Sequence, residues 1–245
     1  MENIRAIVLA AGKGVRLGSE QSGLPKVMRR INGRPMLSYV LDSIGLPPES
    51  VVVVVGYMKE KVIDAFPGYG YAIQTEQRGT GDAVRSAESF FDGYTGNVLV
   101  CYGDMPLISS DSYSELIKTH ISDNAVATLL VGTYPEQMPY GRIIRDTNGG
   151  FHSIIEAKDS DSATDLIREY NAGVYVFNAA ALFTALRYVT ADNNQGEYYL
   201  TDAPGIIRES GGKVSILAKP LGEQLVGVST ESDILRIERI LNDAR

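Results

Sequence analysis

The chain has 245 residues, 44% of them hydrophobic, which is enough for one large α/β domain with a buried core. Thirty acidic residues against 23 basic ones give a net charge of −7, and this balance argues against nucleic acid as a main partner. With one cysteine, Cys101, no intrachain disulfide can form. Because the N-terminus lacks the apolar core of a signal peptide and no membrane-length apolar run occurs, the sequence predicts a cytoplasmic protein without a membrane partner.

The N-terminal stretch combines a strand with a glycine-rich loop. Residues 5–11 are mainly small and β-branched without alternation, which predicts a central strand covered on both faces. The loop that follows carries small residues and cations: Ala10, Ala11, Gly12, Lys13, Gly14, Arg16 and, after Pro25, Lys26. Such a loop lets a ligand approach the backbone and supplies positive charge to phosphate oxygens. A flexible turn with solvated cations is the competing interpretation.

Strands and helices alternate along the first half of the chain. Residues 51–55 are five consecutive valines, a run that predicts a buried parallel strand. The other predicted strands cover residues 71–73, 97–102 and 125–131. Helical spacing predicts helices over residues 36–44, 58–66, 82–91 and 110–121. This alternation predicts a Rossmann-like α/β fold with a mostly parallel sheet flanked by helices.

The second half follows a different pattern. Residues 141–146 and 151–155 flank Asn148-Gly149-Gly150, a hairpin signal, and residues 173–177 add a further strand. We expect these strands to form a small antiparallel annex over the sheet that holds a second substrate. A helix around residues 200–209, a strand at 214–217 and an amphipathic helix from 231 complete the prediction. We therefore expect one domain, with a nucleotide-binding half (1–135), a second-substrate half (136–230) and a C-terminal helix (231–245).

Polar side chains follow two of the predicted parallel strands. Asp104 comes after the strand at 97–102, where a carboxylate facing a phosphate-binding loop could hold Mg²⁺. A helix N-cap or turn aspartate is the alternative. Around the end of the strand at 71–73 lie Gln74, Gln77, Gly79 and Thr80. Amides and exposed backbone of this kind suit the edge of a nucleobase.

The predicted annex contributes polar residues near its strand ends. Glu156 and Asn171 suit hydrogen bonds to sugar hydroxyl and acetamido groups, although a solvated hairpin surface explains them equally well. Residues 193–202 are too polar and aromatic for a core strand. They indicate either a structured functional loop or the start of a helix capped by Thr201 or Asp202.

Several kinds of chemistry are excluded by composition. The two histidines, His120 and His152, form neither a catalytic triad nor a zinc site with a single cysteine. We expect both to be surface or hydrogen-bonded structural residues, and Cys101 to be a buried thiol. The absence of an evident covalent nucleophile suits phosphoryl-type transfer by positioning and electrostatics.

Seven motifs in order along the chain resemble those of the sugar-phosphate nucleotidyltransferases. They are residues 9–17 with Pro25-Lys26, 76–81, 102–107, 140–143, 155–159, 171–173 and 195–202. The later motifs are most similar to the pyrophosphorylase domains of the bacterial N-acetylglucosamine-1-phosphate uridylyltransferases. The resemblance covers essentially the whole chain.

The resemblance implies a reaction and a set of roles. UTP and N-acetylglucosamine 1-phosphate would give UDP-N-acetylglucosamine, a cell wall precursor, and pyrophosphate, with Mg²⁺ as cofactor. Catalysis would fall to Arg16 and Lys26, and the metal to Asp104. The nucleotide would meet Ala10, Ala11, Gly12, Lys13, Gly14, Gln74, Gln77, Gly79 and Thr80. The sugar would meet Tyr102, Gly141, Glu156, Asn171 and Tyr199.

Four departures from the family pattern qualify these expectations. Ser229 follows Gly227-Val228 where the family has an asparagine that joins the aspartate at the metal, so its role as a ligand is doubtful. The loop before Pro25 is longer by about three residues, and Arg78 replaces an apolar residue. The hexapeptide-repeat acetyltransferase half is absent, so no acetyl-CoA chemistry is expected.

Two other functions remain open at this point. One is the same chemistry on another pair of nucleotide and sugar 1-phosphate, such as dTTP or CTP with a different sugar. The other is a non-catalytic nucleotide-sugar sensor, for which Ser229 is the support. Whether the chain is a stand-alone enzyme or an excised domain, and whether a second copy of it is a partner, is also open.

Overall fold

The computed structural model describes residues 3–243. The strands in this range are β1 (Ile4–Leu9), β2 (Arg30–Ile31), β3 (Arg34–Pro35), β4 (Val51–Val55), β5 (Gly70–Ile73), β6 (Asn97–Tyr102), β7 (Ala127–Thr133), β8 (Arg142–Arg145), β9 (Phe151–Ile155), β10 (Glu169–Asn178) and β11 (Val214–Lys219). The α-helices are α1 (Ser19–Ser22), α2 (Met36–Ile44), α3 (Lys59–Ala65), α4 (Thr80–Arg85), α5 (Ser110–Ser122), α6 (Ala179–Leu186), α7 (Ala203–Glu209) and α8 (Glu231–Asp243). Within residues 3–243 no helix has the length and apolar character needed to cross a membrane.

The main sheet is mostly parallel, which confirms the predicted α/β class. Its strand order is β11-β7-β10-β6-β1-β4-β5, with β8 and β9 joined to it through β10. Strand β1 pairs in parallel with β4 on one side and with β6 on the other, and β4 continues in parallel to β5. The predicted first central strand is therefore central, and it brings the ends of β4, β5 and β6 to the same edge.

Both faces of this sheet are buried, as the unbroken apolar runs predict. Val52 and Val54 contribute to one hydrophobic cluster, whereas Val51, Val53 and Val55 contribute to the cluster on the other face. All five valines are buried, and Val52, the most exposed of them, is 6% exposed. Alternate side chains of a strand point to opposite faces, so a strand without polar residues fits only a sheet that is covered on both sides.

Strand β10 is the main difference from the predicted topology. Residues 173–177 are predicted to belong to an annex over the sheet, but β10 lies inside the main sheet, antiparallel to both β6 and β7. Its residues from Tyr170 to Phe177 are buried because neighbours cover it on every side. The antiparallel annex consists of the β8–β9 hairpin, which joins β10 where Arg142 pairs with Tyr170.

Helix α2 has the predicted bounds, but two other helices differ from the expectation. The helix predicted over 82–91 begins at Thr80 and ends at Arg85, and a 3₁₀ turn follows over Glu88–Phe91. That turn directs the Phe91 ring into the core, where its centroid lies 5.5 Å from the centroid of the Phe183 ring. Helix α6 is not predicted at all, although Asn178 caps it by accepting a hydrogen bond from the Ala181 N–H at 3.1 Å. An asparagine before an apolar run was the available signal.

The C-terminal helix α8 packs on the chain itself. Its buried residues Ile234 and Ile237 join a cluster with Leu17, Ile31 and Met36, beside the glycine-rich loop and the β2–β3 hairpin. The Glu238 carboxylate also accepts a hydrogen bond from the Asn32 N–H at 2.8 Å. The apolar stripe of this helix is thus used within the chain, while the last two residues of the predicted helix lie outside the described range.

His120 provides a test of this packing. It is 2% exposed on α5, its Nδ1 lies 2.9 Å from Thr128 Oγ1, and burial lowers its pKa from 6.5 to about 4. Because the unfolded chain takes up a proton first, the free energy of unfolding should fall by about 2 kcal/mol as pH drops from about 6.5 to about 5. His120→Gln, which can keep a hydrogen bond to Thr128, should remove this part of the pH dependence in urea unfolding.

The exposed His152 supplies the matched control. His152→Gln should leave the pH dependence of the wild type intact. If His120→Gln and the wild type lose stability equally between these two pH values, His120 is not the group that senses acid.

Candidate active site

A cavity of about 410 Å³ lies at the edge where the parallel strands end. Residues after β1, β5 and β6 form one side of it, and β10 and the β8–β9 hairpin contribute the other. Ligands of open α/β sheets bind at this carboxyl edge. The fold thus places a two-sided cleft where the sequence predicts a binding site.

Most of the predicted site residues come together in this cavity. Those that line it are Ala10, Ala11, Gly12, Lys26, Gln74, Gln77, Gly79, Thr80, Tyr102, Asp104, Gly141, Glu156, Asn171 and Tyr199. Four others do not line it, namely Lys13, Gly14, Arg16 and Ser229. The lining also includes residues that had no predicted role: Leu9, Val27, Ala83, Met105, Pro139, Tyr140, Ala172, Gly173, Gln195 and Glu197. Of these, Gln195 and Glu197 belong to the polar loop 193–202, whose composition was the signal for them.

The floor of the cavity is backbone and small side chains. The Ala10 N–H donates to the Val54 carbonyl at 2.8 Å, and the Gly103 N–H donates to the Leu9 carbonyl at 2.9 Å. These bonds extend the pairing of the parallel strands past their ends. A Cβ on Gly103 would lie 3.0 Å from the Leu9 oxygen, so a larger residue there would push the two strand ends apart.

Lys26 and Asp104 form an ion pair at the wall of this cavity. The Lys26 ammonium contacts Asp104 Oδ2, and the two side chains are 17% and 28% exposed. Asp104 does not cap a helix, because Ser109 occupies that position at α5 and accepts a hydrogen bond from the Ser112 N–H at 3.2 Å. The N-cap alternative for Asp104 is therefore wrong. A fixed cation and a partly exposed carboxylate stand together beside the glycine-rich strand end.

Arg16 and Ser229 contact each other outside the cavity lining. The Arg16 guanidinium donates to Ser229 Oγ at 3.2 Å, and the Ser229 N–H donates to Asp233 Oδ2 at 2.8 Å. One residue earlier, the Val228 N–H donates to the Asp104 carbonyl at 3.0 Å. The segment with Ser229 thus lies against the strand end that carries Asp104, and its serine hydroxyl is the partner of Arg16.

Two glutamine amides that follow β5 have fixed orientations. Gln74 Nε2 donates to the Gly79 carbonyl at 3.0 Å and to Asp82 Oδ2 at 3.1 Å. Gln77 Nε2 donates to the Ala11 carbonyl at 2.8 Å. Since these partners only accept hydrogen bonds, each amide turns its NH₂ group to the protein. Each side chain lines the cavity with its carbonyl oxygen uncommitted to any donor in the described residues.

On the opposite side, Glu156 and Asn171 have polar partners within the protein. Thr201 Oγ1 donates to Glu156 Oε1 at 2.9 Å, while burial raises the pKa of this carboxyl. Asn171 Nδ2 donates to Tyr175 Oη at 2.6 Å, and the Gly173 N–H donates to Asn171 Oδ1 at 3.1 Å. These contacts give Glu156 and Asn171 defined positions in the cavity wall, so the solvated-surface alternative is wrong.

The loop 193–199 closes the same side as a structured segment. Asn193 Oδ1 accepts hydrogen bonds from the Gln195 and Glu197 N–H groups, both at 3.2 Å. Thr201 is used by Glu156 instead of capping a helix, and Asp202 stands at the N-cap of α7 without a side-chain cap bond. Of the two alternatives for residues 193–202, the structured loop is therefore the one found.

Tyr199 is the most conspicuous polar group of this loop. It is 7% exposed and lines the cavity, and its hydroxyl has no hydrogen-bond partner in the described part of the chain. Burial raises its pKa to about 12, so the group stays a neutral donor and acceptor at physiological pH. An unpartnered buried hydroxyl costs on the order of 1–3 kcal/mol, which a polar ligand would recover.

The site offers few carboxylates that could bind a metal ion. Among residues 3–243 no group of three or more histidine, cysteine, aspartate or glutamate side chains is gathered as a metal site. Magnesium is commonly held by one or two carboxylates together with substrate phosphates. Asp104 at the cavity wall fits such an ion, which would be held mainly by a polyphosphate ligand.

Comparison with known proteins places the chain in a family. Residues 6–203 match the MobA-like NTP transferase domain. The match covers more than half of the chain, and the chain belongs to this family of nucleotidyltransferases. The resemblance to sugar-phosphate nucleotidyltransferases drawn from the motifs is confirmed.

Two curated relatives are similar to the chain over nearly its whole length. The chain is 39% identical over 241 residues to the bifunctional protein GlmU of Pelotomaculum thermopropionicum, a match that covers 98% of the chain and 52% of that protein. It is 40% identical over 238 residues to the bifunctional protein GlmU of Streptococcus gordonii, covering 96% of the chain and 51% of the relative. The chain thus spans about half the length of the curated relatives it matches.

Gly173 tests how tightly the β10 side of the cavity is packed. Its φ is +69°, and a Cβ there would lie 2.3 Å from the Tyr102 ring. Gly149 has a similar φ of +80° with no atom within 4 Å of a Cβ. Gly149→Ala should cost about 1 kcal/mol of unfolding free energy from backbone strain alone. Gly173→Ala should cost about 3 kcal/mol, since Tyr102 must also move.

Urea unfolding of the two variants and the wild type measures this difference. Equal losses in the two alanine variants would mean that Tyr102 yields freely and that the close contact has no structural importance.

Proposed function

We propose that the chain transfers the uridylyl group of UTP to N-acetylglucosamine 1-phosphate, giving UDP-N-acetylglucosamine and pyrophosphate. The observation that carries the proposal is one cavity that holds the Lys26–Asp104 pair between two kinds of wall. One wall presents amide oxygens and backbone, and the other presents Glu156, Asn171 and Tyr199. Membership of the nucleotidyltransferase family and the GlmU relatives support the same reaction class.

The nucleotide occupies the wall formed by the ends of β1 and β5. Small residues at 10–12 let the nucleotide approach the backbone, and Gln74 and Gln77 offer acceptor oxygens to the base. Lys13 and Gly14 lie further along the same loop, where they meet the outer phosphates. Gly79 and Thr80 complete the nucleotide side.

The sugar phosphate occupies the wall formed by β10 and the hairpin. The Glu156 carboxylate accepts hydrogen bonds from ring substituents, and the Asn171 amide donates to them. The Tyr199 hydroxyl, which has no partner in the described residues, forms a hydrogen bond with an oxygen of the ligand. Tyr102 and the Gly141 backbone lie between sugar and phosphate. Two polar substrates thus meet above the Lys26–Asp104 pair.

The reaction needs positioning and charge stabilisation more than a covalent step. A phosphate oxygen of the sugar phosphate attacks the α-phosphorus, a new P–O bond forms, and the bond to the bridging oxygen of the leaving pyrophosphate breaks. Because the attacking phosphate is already ionised near neutral pH, no general base is required. Lys26 and Arg16 stabilise the negative charge that shifts onto the leaving group.

Asp104 would hold a magnesium ion together with the substrate phosphates. When bound, the ion would neutralise charge on the triphosphate and favour departure of pyrophosphate. Ser229 is left out of the proposed ligand set, because its hydroxyl already accepts from the Arg16 guanidinium at 3.2 Å. Ser229 instead keeps Arg16 near the phosphates.

Removal of either member of the central ion pair should nearly abolish turnover. Lys26→Ala and Asp104→Ala are each expected to lower kcat/KM by about a hundredfold or more, because each group acts on transition-state charge. Pyrophosphate release measures the rate. Lys219→Ala is the matched control, since it breaks a surface ion pair with Glu115 remote from the cavity. Wild-type rates in Asp104→Ala would contradict the proposed metal-binding role.

A substrate panel tests the identity of the pair. UTP, dTTP and CTP are each combined with N-acetylglucosamine 1-phosphate, glucose 1-phosphate and related sugar phosphates, with pyrophosphate release as the readout. We expect the highest kcat/KM for UTP with N-acetylglucosamine 1-phosphate. Turnover only with a different pair would keep the reaction class and overturn this substrate assignment.

A non-catalytic nucleotide-sugar sensor is the second candidate, favoured by Ser229 and its contact with Arg16. Nucleotide binding without turnover at saturating Mg²⁺ would support the sensor. Under the enzymatic proposal, Ser229→Asn should lower the Mg²⁺ concentration needed for half-maximal rate by a few-fold, because an amide oxygen is a better metal ligand than a serine hydroxyl. Ser229→Ala is its control, since it adds no ligand.

A further inference from the structure

We propose that Asp82, paired with Arg78, fixes the Gln74 amide so that its carbonyl oxygen faces the nucleobase, and that this arrangement selects a base whose edge donates a hydrogen bond. The inference rests on the proposed transfer from UTP and deepens it by naming the residues that orient the Gln74 amide toward the base. Asp82 is a positioning residue here, because it acts on the base through Gln74.

The orientation of Gln74 follows from its two partners. The side chain is 6% exposed, and its Nε2 donates to the Gly79 carbonyl at 3.0 Å and to Asp82 Oδ2 at 3.1 Å. A carbonyl and a carboxylate only accept, so a flipped amide would set oxygen against oxygen twice. The flipped state is therefore strongly disfavoured, and the carbonyl oxygen is the atom left for a ligand.

Asp82 is itself held in place on α4. It is 7% exposed, and its Oδ1 accepts from the Arg78 guanidinium at 2.8 Å while Oδ2 accepts from Gln74. Both carboxylate oxygens are thus committed, and a cation balances the charge. Arg78, which departs from the apolar residue of the family pattern, has a defined partner in this chain.

The turn that carries these groups is rigid. Gly79 has a φ of +116°, and a Cβ on it would lie 2.5 Å from the Tyr198 carbonyl. The Tyr198 N–H donates to the Arg78 carbonyl at 2.8 Å, and the Gly81 N–H donates to the Tyr198 carbonyl at 2.7 Å. The acceptor that Gly79 offers to Gln74 therefore cannot shift to accommodate a flipped amide.

A fixed acceptor distinguishes bases by the atom they present. Uracil and thymine carry a donor at N3, whereas cytosine carries an acceptor at the same position, so cytosine would face the Gln74 oxygen with a lone pair. A site built to hydrogen-bond one group rejects an analogue that leaves its buried polar atoms unpaired. Gln77, whose Nε2 is anchored on the Ala11 carbonyl at 2.8 Å, adds a second acceptor oxygen to the same wall.

The experiment compares UTP with CTP in the wild type and in Asp82→Asn. Wild-type kcat/KM should favour UTP by about a hundredfold or more. An asparagine can donate to a flipped Gln74, which removes one of the two oxygen–oxygen contacts of the flipped state and leaves the one with the Gly79 carbonyl. The UTP-to-CTP ratio should therefore fall about tenfold in Asp82→Asn, with the KM for sugar phosphate unchanged. Because both nucleotides are measured on one preparation, a loss of folded protein cancels from the ratio.

Calorimetric dissociation constants for UTP and CTP give the same ratio without turnover. If the wild type binds but turns over no nucleotide, the proposed function fails, and the change in the binding ratio on Asp82→Asn decides this inference separately. If the wild type prefers CTP, or if Asp82→Asn keeps the wild-type ratio, the inference is overturned.

Two further variants locate the effect. Glu88→Gln makes the same acid-to-amide change in an ion pair with Arg187 (2.8 Å) outside the cavity lining, and it should leave the ratio unchanged. Arg78→Leu keeps the carboxylate but removes its cation, so the ratio should fall in the same direction and by less than in Asp82→Asn. A fall in Glu88→Gln equal to that in Asp82→Asn would contradict a local role of Asp82.

Discussion

The parallel pairing of β1 between β4 and β6 is the constraint on which the site depends. It sets Leu9 beside both Val54 and Tyr102 in register, so three chain segments leave the sheet at one edge. The pairing continues for one more residue on each side through backbone hydrogen bonds, and only then do the loops diverge. The cavity floor is therefore made of fixed backbone, and its position follows from the burial of the valine strands on both faces.

A second constraint acts on the polar groups of the cavity wall. Gln74, Gln77, Glu156 and Asn171 are each held by a partner within the protein, at distances from 2.6 to 3.1 Å. Gln74 and Asn171 are buried and need such partners, because an unpaired buried polar group costs more than a hydrogen bond normally gains. In Gln74 and Gln77 the same bonds engage the NH₂ group and leave the carbonyl oxygen for a ligand. The bonds that stabilise these two side chains therefore also determine which atom a ligand meets.

Local patterns predict the parallel core well and the long-range pairings poorly. The valine run and the helical spacing of α2 identify their elements because one element's own residues carry the pattern. Strand β10 is buried like any central strand, but its place between β6 and β7 depends on distant partners. These partners lie more than 35 residues away in β7 and more than 70 residues away in β6, and no local pattern encodes such pairings. Helix α6 was hidden by its apolar composition, which has no polar face to mark a period.

The candidate site shows the same division. Fourteen of the cavity-lining residues are predicted. Most follow from small residues, a cation, amides and carboxylates near strand ends, because the topology brings strand ends together, whereas Tyr102, Gly141 and Tyr199 are indicated by the family resemblance alone. Arg16 is predicted to share the catalytic role of Lys26, but it does not line the cavity, and its guanidinium donates to Ser229. Likewise, Thr201 could serve a helix or Glu156, and only the folded distance of 2.9 Å decides between them.

The departures from the family pattern come with partners of their own. Arg78 is matched by Asp82, and Ser229 is matched by Arg16 and Asp233. The extra residues before Pro25 form the single turn α1 between Gly18 and Gly23, both with φ of +61°. Ser19, 1% exposed, donates from Oγ to the Gly14 carbonyl at 3.1 Å, and the Lys61 ammonium donates to the Gly23 carbonyl. Because these bonds fold the insertion back onto the glycine-rich loop, the longer loop gains structure at the rim without filling the cavity.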